Sequence, residues 1–127
     1  MKFFQARIVT NDVPGLTRFY QEVTGMAPVG DDRYVEFQAA GPTIAISSQH
    51  MIDLHSAGAT TPKANRSMIL DLEVEDVDAE RARLQNIVSE FVLEPTTQPW
   101  GNRAMLFRDP DGNLINMFAV PRPGAKV

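Results

Sequence analysis

The stretch that decides the fold is residues 99–118, PWGNRAMLFRDPDGNLINMF, in which two apolar segments flank a turn. Pro110 presets the backbone φ angle at the second position of a type I turn, and Gly112 accepts the left-handed conformation that closes a short hairpin loop. The turn therefore predicts that two antiparallel strands meet there. Asp109 and Asp111 are expected to hydrogen-bond the local backbone rather than to act as a catalytic acid and base.

The strand after this turn has an earlier counterpart in the chain. GPTIAI at 41–46 aligns with GNLINM at 112–117, at an offset of about 71 residues. Ala45 is thereby the counterpart of Asn116.

A second alignment, at an offset of about 64 residues, places NDV at 11–13 over EDV at 75–77. Each triplet follows an apolar strand and opens a helical pattern, so the chain is predicted to contain two copies of one unit. Gln5 then matches Ile69, and Arg7 matches Asp71.

Hydrophobic periodicity predicts the elements of each copy. A strand at 2–10 leads to a helix whose residues Leu16, Phe19, Tyr20 and Val23 form one buried stripe. Three short strands follow, near 28–30, 33–39 and 42–48. The second copy repeats this order, with a strand at 67–74, a helix near 77–89, and strands near 91–95, 102–108 and 113–119. The predicted fold class is α+β, with two tandem βαβββ repeats forming a curved mixed-sheet cleft.

The repeats define the expected domain organisation. We predict a single domain over residues 1–121, made of repeat 1 (2–48) and repeat 2 (67–119). Residues 49–66 contain Gly58, Pro62 and several small polar residues, so they are expected to be a linker or a mobile lid. Residues 122–127 are expected to be a flexible tail.

Composition limits the partners. The chain has 127 residues and 43% apolar content, enough for one compact core. A formal net charge of -4 gives no broad basic surface, so no nucleic-acid partner is expected. No apolar run approaches the roughly 20 residues of a membrane span, so no membrane partner is expected. The absence of cysteine excludes disulfides and thiolate zinc sites and fits a reducing compartment, so a cytoplasmic location is predicted.

The duplicated βαβββ layout, with DPDGN before the last strand and the Asn-Asp-Val helix entry, resembles the vicinal oxygen chelate superfamily. That superfamily contains glyoxalase I, extradiol dioxygenases, fosfomycin-resistance enzymes and bleomycin-resistance proteins, and the resemblance covers nearly the whole chain. Because the fold hosts several chemistries, it does not by itself imply one activity. Small members usually pair, so the resemblance implies a homodimer, which would also cover open sheet edges.

Metal-using members of that superfamily take one ligand from the first strand and one from the last strand of each repeat, typically His or Gln, then Glu, His and Glu. By resemblance, those positions here are Gln5, Ala45, Ile69 and Asn116, with Ser47 replacing Ala45 if the register differs by one dyad. They offer no carboxylate or imidazole, so the charge that offsets dehydration of a divalent ion is missing. We therefore expect no metal and no other cofactor.

A metal-dependent lyase, isomerase or dioxygenase is the alternative, and it would need a non-standard ligand set such as Gln5, His50, Glu73 and one further donor. His50 and His55 lie five residues apart in the predicted linker, which fits no defined ligand spacing. The simplest interpretation is that they are solvated loop histidines. Contact with a substrate from a closing lid is the functional alternative.

Strand alternation predicts which side chains face the cleft. Those of the first, fourth, fifth and last strands are Gln5, Arg7, Thr43, Ala45, Ser47, Ile69, Asp71, Glu73, Leu114, Asn116 and Phe118. Two interpretations stay open. Arg7 and Asp71 form a structural ion pair, or Arg7 orients an anionic or carbonyl ligand while Gln5, Asp71 and Asn116 supply hydrogen bonds.

Pro99-Trp100-Gly101, followed by Arg103, resembles the corresponding stretch of bleomycin-resistance proteins, where the tryptophan helps to shape a drug-binding groove. Trp100 either anchors its loop over a core edge or, beside Arg103, offers an indole face to a planar or cationic ligand.

The sequence thus predicts a metal-independent protein, similar to bleomycin-resistance proteins, that binds a small organic ligand. No catalytic residue is identified. The predicted ligand-binding residues are Gln5, Arg7, Ser47, Asp71, Trp100, Arg103, Asn116 and Phe118. A third possibility is a protein that interacts with another protein and whose cleft is filled by its own side chains.

Overall fold

The structure, a computed structural model, describes residues 1–121, and the tail predicted for residues 122–127 lies outside them. In chain order the elements are β1 (Gln5–Thr10), α1 (Val13–Thr24), β2 (Pro28–Gly30), β3 (Tyr34–Phe37), β4 (Thr43–Ser48), α2 (Gln49–Ser56), β5 (Ile69–Glu73), α3 (Val77–Arg83), β6 (Glu90–Thr97), β7 (Arg103–Arg108) and β8 (Leu114–Ala119). The predicted α+β class with two βαβββ repeats is confirmed. Within the described residues, no helix is long and apolar enough to cross a membrane.

The chain divides into two compact units, Met1–Ala64 (unit 1) and the residues from Asn65 onward (unit 2). Each holds a four-stranded mixed sheet, with strand order β1-β4-β3-β2 in unit 1 and β5-β8-β7-β6 in unit 2. The first strand of each unit runs parallel to its neighbour, and the remaining pairs are antiparallel. Gln5 lies opposite Thr43, and Ile69 lies opposite Leu114, so the sequence offsets of about 64 and 71 hold in the strand registers.

The core of unit 1 forms where α1 packs on one face of its sheet. The Asp12 side chain caps the helix by accepting a hydrogen bond from the Gly15 N–H at 3.0 Å, and Gly25 ends it in the left-handed conformation. The predicted stripe is buried, and Tyr20 meets Phe37 of β3 edge to face. The helix-facing core residues are Val13, Leu16, Phe19, Tyr20, Val23, Val35, Phe37 and Ile46.

Unit 2 repeats this arrangement with a shorter helix. Asp76 caps α3 by accepting from the Ala79 N–H at 3.0 Å. The helix ends at Arg83, earlier than the predicted end near 89, because the chain tightens into turns there. The N–H groups of Gln85 and Ile87 bond to the carbonyls of Ala82 and Leu84, three residues earlier. The buried residues of this core are Val77, Leu84, Val88, Met105, Phe107, Ile115 and Met117.

The first half of the predicted linker is a helix. Ser48 caps α2 by accepting from the Met51 N–H at 3.1 Å, and Gln49 donates to the Asp53 carboxylate at 2.7 Å one turn later. The Thr60 hydroxyl donates to the other end of the Gln49 amide at 2.9 Å. These local bonds make α2 part of unit 1, and the boundary between the units falls later, after Ala64.

Candidate ligand-binding site in the first unit

The sheet face of unit 1 that points away from α1 carries three of the predicted site residues. We call it the open face of unit 1. Strand register and alternation place Gln5, Arg7, Val9, Tyr34, Glu36, Thr43, Ala45 and Ser47 on this face.

A hydrogen-bonded chain crosses the open face. Gln5 Nε2 donates to the Tyr34 hydroxyl at 2.8 Å, and that hydroxyl donates to Glu36 Oε1 at 2.6 Å. Because β4 lies between β1 and β3, the Tyr34 side chain must cross β4 to reach Gln5. The middle of the three β4 residues on this face, Ala45, is small enough to leave room and is 0% exposed.

Tyr34 and Glu36 were missed by the sequence analysis. Their signal was present, since both alternate with the buried Val35 and Phe37 in the predicted strand near 33–39. Alternation shows which face they occupy but not that Tyr34 reaches a residue 29 positions earlier.

The Tyr34 hydroxyl is held in its protonated form. Burial raises its pKa above the ordinary value, the hydrogen bond to Glu36 adds to the rise, and Gln5 and Arg7 oppose it. The single phenolic proton is directed to Glu36, so Tyr34 can only accept from Gln5. The Gln5 amide must therefore present its nitrogen to Tyr34, which leaves its oxygen, Oε1, free to accept another hydrogen bond.

A cavity of about 650 Å³ opens within unit 1, and both ends of this hydrogen-bonded chain, Gln5 and Glu36, line it. Its polar lining includes Gln5, Glu36 and Thr43, and its apolar lining includes Phe3, Phe4 and Val29. The three apolar side chains are 69%, 64% and 54% exposed. A cavity of this size, with apolar walls and a few placed polar groups, is typical of small-molecule sites.

The other two predicted residues of unit 1 behave differently from each other. Arg7 is exposed and forms no salt bridge with a described residue of its unit. Ser47 is 3% exposed, between Val9 and Tyr34 in the strand register, so it is not open to a ligand. Of the predicted residues of unit 1, only Gln5 lines the cavity.

In unit 2 the structure brings three predicted residues onto one sheet face. Asn116 Nδ2 donates to Asp71 Oδ1 at 3.0 Å, from directly opposite positions on β8 and β5. Phe118 follows on the same face, opposite Glu73, and is half-buried. Sequence alternation had assigned all of these side chains to one face.

Arg103 lies on the opposite face of the unit 2 sheet. It lies on the same side of β7 as the buried Met105 and Phe107, and its guanidinium donates two hydrogen bonds, of 2.5 and 2.9 Å, to the carboxylate of Asp78 on α3. This hydrogen-bonded pair lowers the pKa of Asp78 below its ordinary value. A third bond, at 3.1 Å, goes to Thr97. The guanidinium therefore links α3 to the sheet, and Arg103 is not part of the candidate site.

Trp100 is 71% exposed, in the loop before β7, where Gly101 has a φ of 104°. Such exposure does not fit a ring that covers a core edge. Of the two interpretations of Trp100, the structure favours an indole face open to the surroundings.

His50 and His55 both lie on α2 and are exposed. They are solvated, as the simplest interpretation held, but they belong to a helix rather than to a loop.

The residues at the four family ligand positions do not fit the divalent metal that metal-using members of the superfamily bind. In unit 1, Gln5 already donates to Tyr34, and Ala45 offers a covered methyl group. In unit 2, Ile69 is aliphatic and Asn116 is bonded to Asp71. Two neutral amide oxygens are too few and too weak to replace the hydration shell of a divalent ion. Among the residues from 1 to 121, no three of His, Asp or Glu converge.

The non-standard ligand set fares no better. Gln5 pairs with the first residue of β4, whereas His50 follows the last. At about 3.3 Å per residue, Thr43 and Ser48 at the two ends of β4 lie roughly 16 Å apart along the strand, and His50 follows two residues after Ser48. The register also excludes Ser47 as the counterpart of Asn116, because Ala45 lies opposite Arg7 as Asn116 lies opposite Asp71.

The DPDGN turn is held together by Asp109, as expected. Its Oδ1 accepts from the backbone N–H groups of Asp111 and Asn113, both at 2.9 Å, and its Oδ2 accepts from the Asn113 side chain at 2.8 Å. Asp111 is also buried, and within residues 1–121 its Oδ2 has no hydrogen-bond partner.

Comparison with known proteins agrees with this geometry. Residues 2–117 match the family model described as the Glyoxalase/Bleomycin resistance protein/Dioxygenase superfamily. The chain belongs to this superfamily. This chain is similar to the uncharacterized protein YraH of Bacillus subtilis (strain 168). The two are 27% identical over 128 residues, which cover 94% of this chain and 99% of YraH.

Solved structures show the same fold. A glyoxalase/bleomycin resistance protein/dioxygenase family enzyme from Burkholderia phytofirmans PsJN superposes with a TM-score of 0.83 at 16% identity, covering 94% of this chain and 99% of that chain. A protein of unknown function from Agrobacterium tumefaciens str. C58 gives a TM-score of 0.78 at 26% identity, covering 94% of each chain. These likenesses show the fold and assign no activity.

Proposed function

We propose that this superfamily member is a metal-independent protein that binds a small organic ligand in the unit 1 cavity. The observation that carries the proposal is the cavity of about 650 Å³, which is lined by exposed aromatic rings and by Gln5 and Glu36, the two ends of the hydrogen-bonded chain through Tyr34. Phe3 and Phe4 supply exposed apolar surface that gains free energy when a ligand covers it, and the Gln5–Tyr34–Glu36 hydrogen-bonded chain supplies fixed polar atoms.

The metal-dependent enzyme is the second candidate, and the donor chemistry argues against it. The residues at the family's ligand positions present amide and aliphatic groups, and three of them are already hydrogen-bonded or covered. The third candidate, a cleft filled by the protein's own side chains, fits unit 1 poorly because the cavity there is open.

The test is a fragment screen on the full chain, treated with EDTA and followed by ¹H–¹⁵N NMR. We expect saturable shift changes at Phe4, Gln5 and Glu36 for at least one compound. Phe4→Ala should weaken that compound, whereas Leu54→Ala, which removes an exposed apolar side chain from α2 in the same unit, should leave its affinity unchanged. Binding that appears only after a divalent ion is added would overturn the proposal.

Further parts of the proposal concern assembly. We propose that repeats 2–48 and 67–119 act as one domain, that the protein is a homodimer, and that it resides in the cytoplasm. The outer strands β1, β2, β5 and β6 are edges of the two sheets, and a second copy would protect such edges. A chain without cysteine suits a reducing compartment.

In unit 2 we propose that Asp71, Asn116 and Phe118 contact ligand. The Asp71–Asn116 hydrogen bond fixes two polar side chains beside a half-buried aromatic ring. Asn116→Ala would free Asp71 and should change ligand affinity without a large loss of stability, because the bond is exposed.

A further inference from the structure

The polar side chains that the sheet contributes to the unit 1 cavity present mainly hydrogen-bond acceptors. Three polar sheet side chains line it, namely Gln5, Glu36 and Thr43, and Gln38 lines it directly after β3. Hydrogen bonds inside unit 1 occupy the Thr43 donor and one of the two Gln5 donors. Gln5 Nε2 donates to Tyr34 at 2.8 Å, and the Thr43 hydroxyl donates to Met26 Sδ at 3.7 Å. Glu36 is a carboxylate, which has no donor.

The atoms that these three sheet side chains leave for a ligand are therefore mainly acceptors. Glu36 Oε1 receives the Tyr34 proton and Oε2 remains, Gln5 keeps Oε1 and one N–H, and the Thr43 oxygen keeps its lone pairs. The Tyr34 hydroxyl holds Glu36 Oε1 at 2.6 Å, so the Glu36 carboxylate is preorganised and loses little conformational freedom when its Oε2 binds a ligand.

The other charged lining residue is Lys2, in the segment before β1. Its exposed side chain can keep the ammonium in water while its stem covers apolar surface. Phe3 and Phe4 follow it, and the faces of exposed aromatic rings attract cations. The chemistry of the cavity thus favours a planar group that carries several N–H donors and a positive charge.

We infer that the ligand of the unit 1 cavity is an organic cation of the amidinium, guanidinium or ammonium class, attached to an aromatic or alkyl body. This inference rests on the proposed function. The cation would donate to Glu36 Oε2 and Gln5 Oε1, and the apolar body would lie against Phe3, Phe4 and Val29.

Three isosteric probes test it: benzamidine is cationic and rich in donors, benzamide is neutral, and benzoate is an anionic acceptor. Dissociation constants would be measured by NMR titration of the full, EDTA-treated chain. We expect benzamidine to bind most tightly and benzoate most weakly, with at least a tenfold difference between them. A hydrogen bond to a charged group accounts for a factor of this order.

Glu36→Gln keeps the size of the side chain and removes its charge. It should weaken benzamidine about tenfold or more and change benzamide by less than about threefold. Glu75→Gln, an exposed acid of unit 2, is the matched control and should change neither.

The outcomes separate this inference from the function on which it rests. If benzoate or benzamide binds as tightly as benzamidine, or if Glu36→Gln leaves benzamidine unchanged, the ligand class is wrong while a small-molecule site stands. If library compounds bind and benzamidine does not, the ligand class is again wrong and the small-molecule site again stands. If no compound of any charge binds, the proposed function fails as well.

Discussion

Replacing Asp109 by alanine should lower the free energy of unfolding by about 3 to 5 kcal/mol, because one buried carboxylate satisfies three donors of the DPDGN turn. The bonds to Asp111 and Asn113 are 2.8 to 2.9 Å long, and Asp109 is only 5% exposed. Water therefore cannot easily replace the lost oxygens. A buried donor left unsatisfied costs about 1 to 3 kcal/mol, and relaxation of the turn recovers part of the sum.

Urea unfolding of the full chain, followed by circular dichroism, measures this loss. Asp109→Asn retains an oxygen for the two backbone N–H groups but sets an amide N–H₂ against the Asn113 amide, so it should cost about 1 to 2 kcal/mol. Asp32→Ala, at an exposed turn position, is the control and should stay within about 0.5 kcal/mol. If Asp109→Ala stays within 1 kcal/mol of the parent by the same fit, about the error of the method, the carboxylate does not organise the turn.

Three further results are expected. Arg103→Met should raise the pKa of Asp78 toward its ordinary 3.8, and carboxyl NMR measures that pKa. Because the pKa of Asp78 is lower in the folded protein than in the unfolded chain, the Arg103–Asp78 pair stabilises the fold above pH 3.8, and this contribution is lost as the pH falls through the folded pKa. For so exposed a pair the contribution is at most about 1 kcal/mol. An unmoved Asp78 titration would refute the pairing. Trp100 should emit as a solvated indole and shift on binding of a ligand that reaches it, and Trp100→Phe should change stability by less than about 0.5 kcal/mol, since the ring is 71% exposed; a buried-type spectrum would contradict its placement. Sedimentation equilibrium should give twice the 14.1 kDa chain mass, and a monomer at micromolar concentration would count against the homodimer.

The sequence was sufficient for the fold because its signals are local and repeated. The turn at Asp109 and the helix entries at Asp12 and Asp76 are short-range features, and the structure has each of them. The α2 helix was missed because the nearby glycine and proline suggested a linker, although Ser48 is a good capping residue.

The site was harder to predict because it depends on contacts between distant residues. The Gln5–Tyr34 bond joins positions 29 residues apart, and no periodicity reveals such a pair. Arg103 could have been assigned correctly, since it alternates with Met105 and Phe107 and must share their side of the sheet. Its place near Trp100 in the sequence suggested a shared role that strand alternation does not allow.

Metal content tests the central claim most directly. Protein purified without chelator should be analysed by inductively coupled plasma mass spectrometry, beside Gln5→Ala purified in the same way. The residues at the family's ligand positions predict far less than one nickel, zinc, iron or manganese ion per chain in both samples. One ion per chain in the parent protein, lost in Gln5→Ala, would contradict metal-independent binding.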